Sequence, residues 1–413
     1  MGSEINSKDI TILCKVVDNF GDIGVVYRLA RALSELSEQL RLRIVVDNLQ
    51  SFSLLEPKVN PAADIQMVNG WQIFRWDSPE CTEHFRENPP HIILECFQCG
   101  RPEWLENLLF TETIPNVAQI IMLDYLTAEP YAETFHKLLS LTRSSRVKKI
   151  NFMPGFTPKT GGLILDKAFV KSLENQGGES LPLAHTPLLA TPSPRGAQQV
   201  EPPLKPPVFK TIFFSYPKDW APAVSALQKF SRQLQNSKLK VFLAKGAGFD
   251  SFYRAYTEKK ASSADSLFEL EPLNFIPQTE WDALLCSSSL LFIRGEDSLS
   301  RAALWGVPYL WHAYPQTEDY QLVKVQALLD AMKPFFSPEL FGTVETCWQI
   351  YNGKPGDLET ALTDFLSSYE ALKPGFKAFS ESLLKNGNLA KNLLDFIEEL
   401  CASRPLMCHN CPL

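Results

Sequence analysis

Apolar strand-and-helix alternation occurs twice in this chain, once on each side of a proline-rich stretch, and that arrangement leaves few folds open. Residues 181–207 place eight prolines in 27 positions, among Ser, Thr, Gln and Gly. Such a segment is expected to be a semi-extended linker. Before it, the pattern predicts strands over 10–17, 42–46, 92–96 and 117–123, with a helix over 25–40. After it the pattern restarts, with a strand over 209–214, a helix over 221–234 and strands over 239–243, 290–293 and 308–311. Near-continuous apolar strands alternating with helices imply α/β halves with parallel sheets, each covered on both faces. Two Rossmann-like domains facing one another across a cleft follow, with ligands at the carboxyl ends of the strands. The expected division is a first domain at 1–170, the linker at 171–207, a second domain at 208–375, and a C-terminal helix and tail at 376–413.

Composition narrows the class. The 413 residues are 45% hydrophobic and 21% charged, which excludes a mainly disordered chain. Forty Lys and Arg against 47 Asp and Glu give a formal charge of -7, so partnership with nucleic acid or an anionic membrane is disfavoured. Met1 to Asn6 show no basic or apolar leader. Apolar runs such as Ile120 to Leu123 fall far short of the ~20 residues of a membrane span. A cytoplasmic protein is expected. Cys96/Cys99 and Cys408/Cys411 form Cys-x-x-Cys pairs, the second enclosing His409, but about 300 residues separate them, unlike a zinc ribbon or finger. Reduced, packed thiols are the expected state.

Two loops carry the chemistry. The first, Asp18-Asn19-Phe20-Gly21-Asp22-Ile23-Gly24, follows the first strand and precedes the helix bearing Tyr27 and Arg28. It has no G-x-G-x-x-G, and its carboxylates would repel a pyrophosphate, so a dinucleotide is not expected there. Asp18 and Asp22 suit a cationic ligand, a metal or a general base; alternatively one caps the helix and the other is solvated. The second, Arg294-Gly295-Glu296-Asp297-Ser298, follows the strand at 290–293 and precedes a helix expected from about Leu299. Arg294 and a helix N-terminus suit an anionic diphosphate, while Asp297 or Ser298 is expected to serve as N-cap. Glu296 is harder to place, because a carboxylate beside a phosphate is costly unless it bonds a hydroxyl or a cation.

Aromatics stand at neighbouring strand ends. Phe214 and Tyr216, with Phe275, could sandwich a base that the Gln278 amide hydrogen-bonds, although core packing is the alternative for any single ring. His312-Ala313-Tyr314-Pro315-Gln316 forms another strand-end turn; it could hold ribose or phosphate, with no catalytic role for His312. No two Asp residues are spaced D-x-D, so no metal cofactor is expected.

The stretch Cys14 to Val25, together with Arg294 to Ser298 and Tyr314-Pro315-Gln316, closely resembles the bacterial protein-arginine rhamnosyltransferases that modify translation elongation factor P. Phe152 to Phe156, Gly161 to Ile164 and Phe275 to Gln278 extend the likeness over nearly the whole chain. The resemblance implies a GT-B glycosyltransferase that moves L-rhamnose from dTDP-β-L-rhamnose to one arginine with inversion. It makes residues 1–170 the acceptor side and 208–375 the nucleotide-sugar side. Asp18 and Asp22 become acceptor-side carboxylates and Glu296 a third essential acid. Phe214, Tyr216, Phe275 and Gln278 would hold thymine and deoxyribose. Arg294, Asp297 and Ser298 would line the diphosphate, and Asn19, Phe20, Gly21 and Gly295 complete the substrate-binding set. The proline-rich insert is longer than the resemblance leads one to expect, and the Cys-containing tail is unfamiliar.

Free guanidinium stays protonated, with a pKa above about 12, and is a poor nucleophile. Paired carboxylates can orient it and take its proton, with Asp22 expected as base and Asp18 as the orienting group. The alternatives are a sugar-nucleotide epimerase of the same fold, a glycosyltransferase with a lipid or glycan acceptor, and a two-domain binder without activity.

Overall fold

The computed structural model describes residues 9–17, 20–111, 118–175, 207–234, 237–262 and 267–402. Asp18, Asn19, most of the proline-rich stretch and the Cys408/Cys411 pair lie outside them. Two sheets organise the described chain. The first comprises β1 (Asp9–Cys14), β2 (Arg41–Val46), β3 (Ile65–Val68), β4 (Trp71–Arg75), β5 (Ile92–Cys96), β6 (Ala118–Leu123), β7 (Leu139–Ser140) and β8 (Val147–Phe152), in the order β3-β4-β2-β1-β5-β6-β8-β7. Its interior pairings are parallel, and only the edge strands β3 and β7 run antiparallel to their neighbours.

The second sheet comprises β9 (Val208–Phe213), β10 (Lys238–Ala244), β11 (Glu269–Leu273), β12 (Leu290–Arg294) and β13 (Tyr309–His312), in the order β11-β10-β9-β12-β13. All of its pairings are parallel. Parallel strands need both faces covered, which is why their sequences are apolar runs. Along β1, Ile10, Ile12 and Cys14 enter one core while Leu13 enters the core on the opposite face. The strand order reverses between β1 and β5 in one sheet and between β9 and β12 in the other. Ligands in open α/β sheets bind outside the strand ends at such reversals, and the two chemistry-bearing loops leave β1 and β12 there.

The chain passes between the two cores on both sides of the second sheet. Phe156, Leu163 and Phe169 already pack in the second core, before the proline-rich stretch. After the helices Pro338–Tyr351, Leu358–Ser367 and Tyr369–Leu384, which belong to the second core, the helix Leu389–Ala402 returns to the first. There Leu389, Leu393, Phe396 and Ile397 pack with Ile150 and Phe152. No helix among the described residues is long and apolar enough to cross a membrane.

Candidate active site between the two sheets

The helix after β1 runs over Gly21–Leu36, four residues earlier than the apolar period suggests. Phe20 is its N-cap without a side-chain cap, so Gly21, Asp22 and Gly24 belong to the first turn and not to a loop. Neither a capping nor a solvated role fits Asp22. It is 2% exposed, its Oδ2 accepts from the Val17 N–H at 2.7 Å, and its Oδ1 accepts from the Tyr125 hydroxyl at 3.0 Å. Tyr125 in turn stacks on Phe97, with ring centroids 4.8 Å apart. The carboxylate is thus held at the positive end of a helix by donors that include the Val17 N–H and the Tyr125 phenol.

The second helix begins at Glu296 and runs to Trp305, again earlier than expected from Leu299. Gly295 is the N-cap, with φ +73°, a left-handed conformation suited to glycine. The expectation that Asp297 or Ser298 caps this helix is therefore corrected: both lie inside the first turn. Their backbone and that of Glu296 leave N–H groups at the helix start for an anion.

A cleft with about 1030 Å³ of empty space, open to solvent, joins the two halves. Its walls include Phe20, Gly21 and Gly24 from the first half and Phe214, Phe275, Gln278 and Arg294 to Ser298 from the second. Phe20 and Phe275 meet across it, with ring centroids 4.8 Å apart. Gln278 is buried; its Nε2 donates to the Gly24 carbonyl at 2.9 Å and more weakly to Asp297 Oδ2 at 3.3 Å. Its Oε1 is left without a partner.

Several sequence expectations are redistributed. Asp22 does not line this cleft, and neither does Tyr216. The Arg294 guanidinium lies 4.5 Å from the Phe214 ring centroid and 4.7 Å from that of Tyr216, so these aromatics brace the arginine by cation–π contact. Only Phe214 also faces the cavity. Asp297 lines it, but both its oxygens are taken by Arg28, at 2.6 and 2.8 Å. Burial alone would raise the Asp297 pKa; the charge and hydrogen bonds of Arg28 outweigh that and hold it below the usual carboxylate range. The turn after β13 lies outside the cavity wall, and Tyr314 packs edge-on against Tyr216. His312 accepts from the Tyr216 N–H, and burial, with Lys218 and Arg294 nearby, pushes it down to about 3, so it is a neutral structural histidine.

Glu296 resolves the puzzle of a carboxyl beside a phosphate site. Burial pushes its pKa up to about 8; Lys324 and the Leu126 N–H oppose this, while Asp22 and Asp124 add to it. The group is therefore largely protonated and uncharged at neutral pH. Its Oε2 accepts from the Leu126 N–H of the first half at 3.2 Å. Glu296 and Asp297 also line a second, smaller cavity with Phe97, Asp124, Leu126 and Pro154, so Glu296 stands where the two cavities adjoin.

Sequence reasoning passed over other wall residues. Lys245, Gly246 and Ala247 follow β10 and line the cleft. A Cβ on Gly246 would stand 3.0 Å from Phe214 and 3.2 Å from Arg294, and one on Gly248 would collide with the Ser215 carbonyl. The signal was present as Lys-Gly-Ala-Gly directly after a strand. Also passed over were Arg28 and Arg301, charges inside apolar helical stretches, where an unpaired arginine is not tolerated. Among the described residues no group of three or more His, Cys, Asp or Glu is placed to hold a metal, and the described cysteines are free thiols.

A family model described as "Elongation-Factor P (EF-P) rhamnosyltransferase EarP" matches residues 10–398. A protein-arginine rhamnosyltransferase of Shewanella oneidensis is 31% identical over 358 residues, covering 83% of this chain and 85% of the relative. One from Pseudomonas aeruginosa is 29% identical over 355 residues, covering 84% and 87%. Among solved structures, one described as the structural basis for EarP-mediated arginine glycosylation of translation elongation factor EF-P aligns over 95% of this chain and 99% of its own. Its sequence identity is 18% and the TM-score 0.54. A putative UDP-N-acetylglucosamine 2-epimerase from Listeria monocytogenes aligns over 97% and 98%, at 9% identity and a TM-score of 0.50. At such identities these structures speak for the fold alone, a GT-B arrangement of two sheets whose interior pairings are parallel. With the family model matched over nearly its whole length, the chain belongs to the elongation factor P rhamnosyltransferases of the EarP family and is a glycosyltransferase.

Proposed function

We propose that this enzyme transfers L-rhamnose from dTDP-β-L-rhamnose to an arginine side chain of translation elongation factor P, with inversion at the anomeric carbon and no metal. The observation that carries the reading is the placement of Glu296. It is a carboxyl protonated near neutrality, at the junction of an aromatic-walled cleft with a cavity of the first half, beside Arg294 and a helix N-terminus. Arg294 and the N–H groups of Glu296 to Ser298 suit the diphosphate, and a protonated Glu296 does not repel it. Phe275 and Phe214 offer faces to the base. Gln278 has committed its N–H donors and retains only an acceptor, which matches the N3–H donor of thymine.

On the acceptor side, Asp22 supplies a buried carboxylate at the start of its helix, and Asp18 is proposed to orient the guanidinium. As a guanidinium nitrogen forms its bond to C1, the C1–O bond to the diphosphate breaks. The nitrogen's proton passes to Asp22, and dTDP departs with the bonding electrons toward Arg294 and the helix N-terminus. Attack opposite the departing diphosphate converts a β donor to an α-linked product. Phe20, Gly21 and Gly295 shape the walls, and Asn19 is proposed to contact substrate. In this reading the first half serves the acceptor, the second the nucleotide sugar, and the reaction takes place in the cytoplasm.

Donor competition tests it. Elongation factor P incubated with enzyme and either dTDP-rhamnose or UDP-N-acetylglucosamine should be modified only by the former, and NMR of the product should show the α anomer. Transfer from the uridine donor, or a β-linked product, would overturn the donor or the inversion respectively.

A further inference from the structure

Arg28 lies two turns along the helix whose first turn carries Asp22, and it is fully buried. Its guanidinium reaches three carboxylates from three separate segments. Nε and NH2 donate to Asp297 at 2.6 and 2.8 Å; NH1 and NH2 donate to Asp282 at 2.6 and 2.9 Å; NH1 also reaches Asp166 at 3.3 Å. Asp282 sits on the helix Gln278–Cys286 and Asp297 in the first turn of Glu296–Trp305. Asp166 precedes the helix Lys167–Asn175 and is held from the second half by Arg301 at 2.8 Å. Arg31 completes the cluster at 3.9 Å from Asp166. Three guanidinium groups thus face three carboxylates where the two halves meet.

Stability alone does not account for such a cluster, since buried ion pairs gain little over well-packed apolar side chains. Direction does. The planar fork of Arg28 donates to carboxylates only along its N–H bonds, so bonding both Asp297 and Asp282 fixes the angle between the helix of Asp22 and the helix of Glu296. The same bonds offset the charge of Asp297 beside the diphosphate end of the cleft.

We propose that Arg28 is a positioning residue: it clasps the acceptor-side helix to the donor-side helix and so registers Asp22 against Glu296 and the departing diphosphate. The proposal rests on the transfer reaction above. Lysine, a point charge without the fork, cannot hold two carboxylates in this geometry.

The test compares wild type, Arg28→Lys and Asp282→Asn in the full-length enzyme. Single-turnover transfer to elongation factor P is measured at saturating dTDP-rhamnose, with calorimetric binding of thymidine diphosphate on the same samples. Arg28→Lys should lower the single-turnover rate by on the order of 10²-fold, the loss a misplacement of about 1 Å produces. Thymidine diphosphate affinity should change by less than about tenfold, so the loss appears in turnover and not in binding. Asp282→Asn, which leaves Asp297 and Asp166 on the guanidinium, should lower the rate by about tenfold. Wild-type turnover in a folded Arg28→Lys enzyme, or a loss confined to nucleotide affinity, would overturn the clasp. If Arg28→Lys does not fold, wild-type turnover in Asp282→Asn overturns it equally. Wild-type enzyme that transfers nothing would refute the proposed reaction instead. In that case hydrogen exchange at residues 20–26 and 296–302 still decides: faster exchange at both first turns in the variants supports the clasp, and unchanged exchange refutes it.

Discussion

Glu296→Gln keeps the shape of a side chain and removes its ionisation, and the structure fixes how the consequence varies with pH. Burial, with Asp22 and Asp124 near, raises the Glu296 carboxyl from 4.5 to about 8. In the unfolded chain the group loses its proton near 4.5. Between those two values the folded enzyme therefore holds a proton that the unfolded chain has released. Stability from this group is fully present below about 4.5, falls as pH rises through the window, and levels off above about 8. At about 1.4 kcal/mol per pH unit the full window amounts to at most ~5 kcal/mol. Glu296 is only partly buried, and relaxation around the ionised form reduces the expected span to ~2 to 3 kcal/mol. Glutamine does not titrate, so the stability of Glu296→Gln relative to wild type should improve by that amount between pH 5 and pH 9. Urea denaturation at intervals across the range measures it. Parallel stability curves for the two proteins would refute a protonated Glu296 at neutrality, and with it the account of how a carboxyl tolerates the neighbouring diphosphate.

Asp22→Asn keeps the shape of the side chain, retains one acceptor oxygen for the two donors Val17 N–H and Tyr125 hydroxyl, and removes the proposed base; turnover should fall ~10² to 10⁴-fold while calorimetry shows thymidine diphosphate binding unchanged. Tyr125→Phe deletes the phenol that orients Asp22, and loss of a hydrogen bond to a charged group, about 1.5 to 3 kcal/mol, predicts a roughly 10 to 100-fold lower kcat with donor KM preserved. Phe275→Ala removes an exposed ring from the cleft and should weaken thymidine diphosphate binding by ~1 to 3 kcal/mol in the same calorimetric assay.

Strands were the most legible part of the fold, because a strand buried on both faces announces itself locally, as Ile10 to Cys14 and Leu290 to Ile293 do. The starts of the two chemistry-bearing helices were not. Gly21, Asp22 and Gly24 have low helix propensity and read as loop, yet a first turn tolerates them because its N–H groups need no intrahelical acceptor and Asp22 complements the dipole. At the second helix the N-cap Gly295, with Asp297 and Ser298 in the first turn, hid the start in the same way. An aromatic at a strand end does not reveal what it faces: Phe214 and Tyr216 read alike in the sequence, yet both brace Arg294 and, of the two, Phe214 alone lines the cleft. Contacts between distant residues left the weakest trace: Arg28 meets Asp166, Asp282 and Asp297 across separations of 138, 254 and 269 residues. Likewise the apolar face of Leu389–Ala402 predicts burial, but not its return to the core of the first sheet.

The measurement that bears most directly on the central claim is the intact mass of elongation factor P after incubation with this enzyme and dTDP-β-L-rhamnose, followed by fragmentation to locate any modification. The account predicts a gain of a single deoxyhexose on one arginine, absent when Asp22→Asn enzyme or heat-treated wild type is used. Elongation factor P of unchanged mass, alongside consumption or epimerisation of the sugar nucleotide without any acceptor, would contradict it.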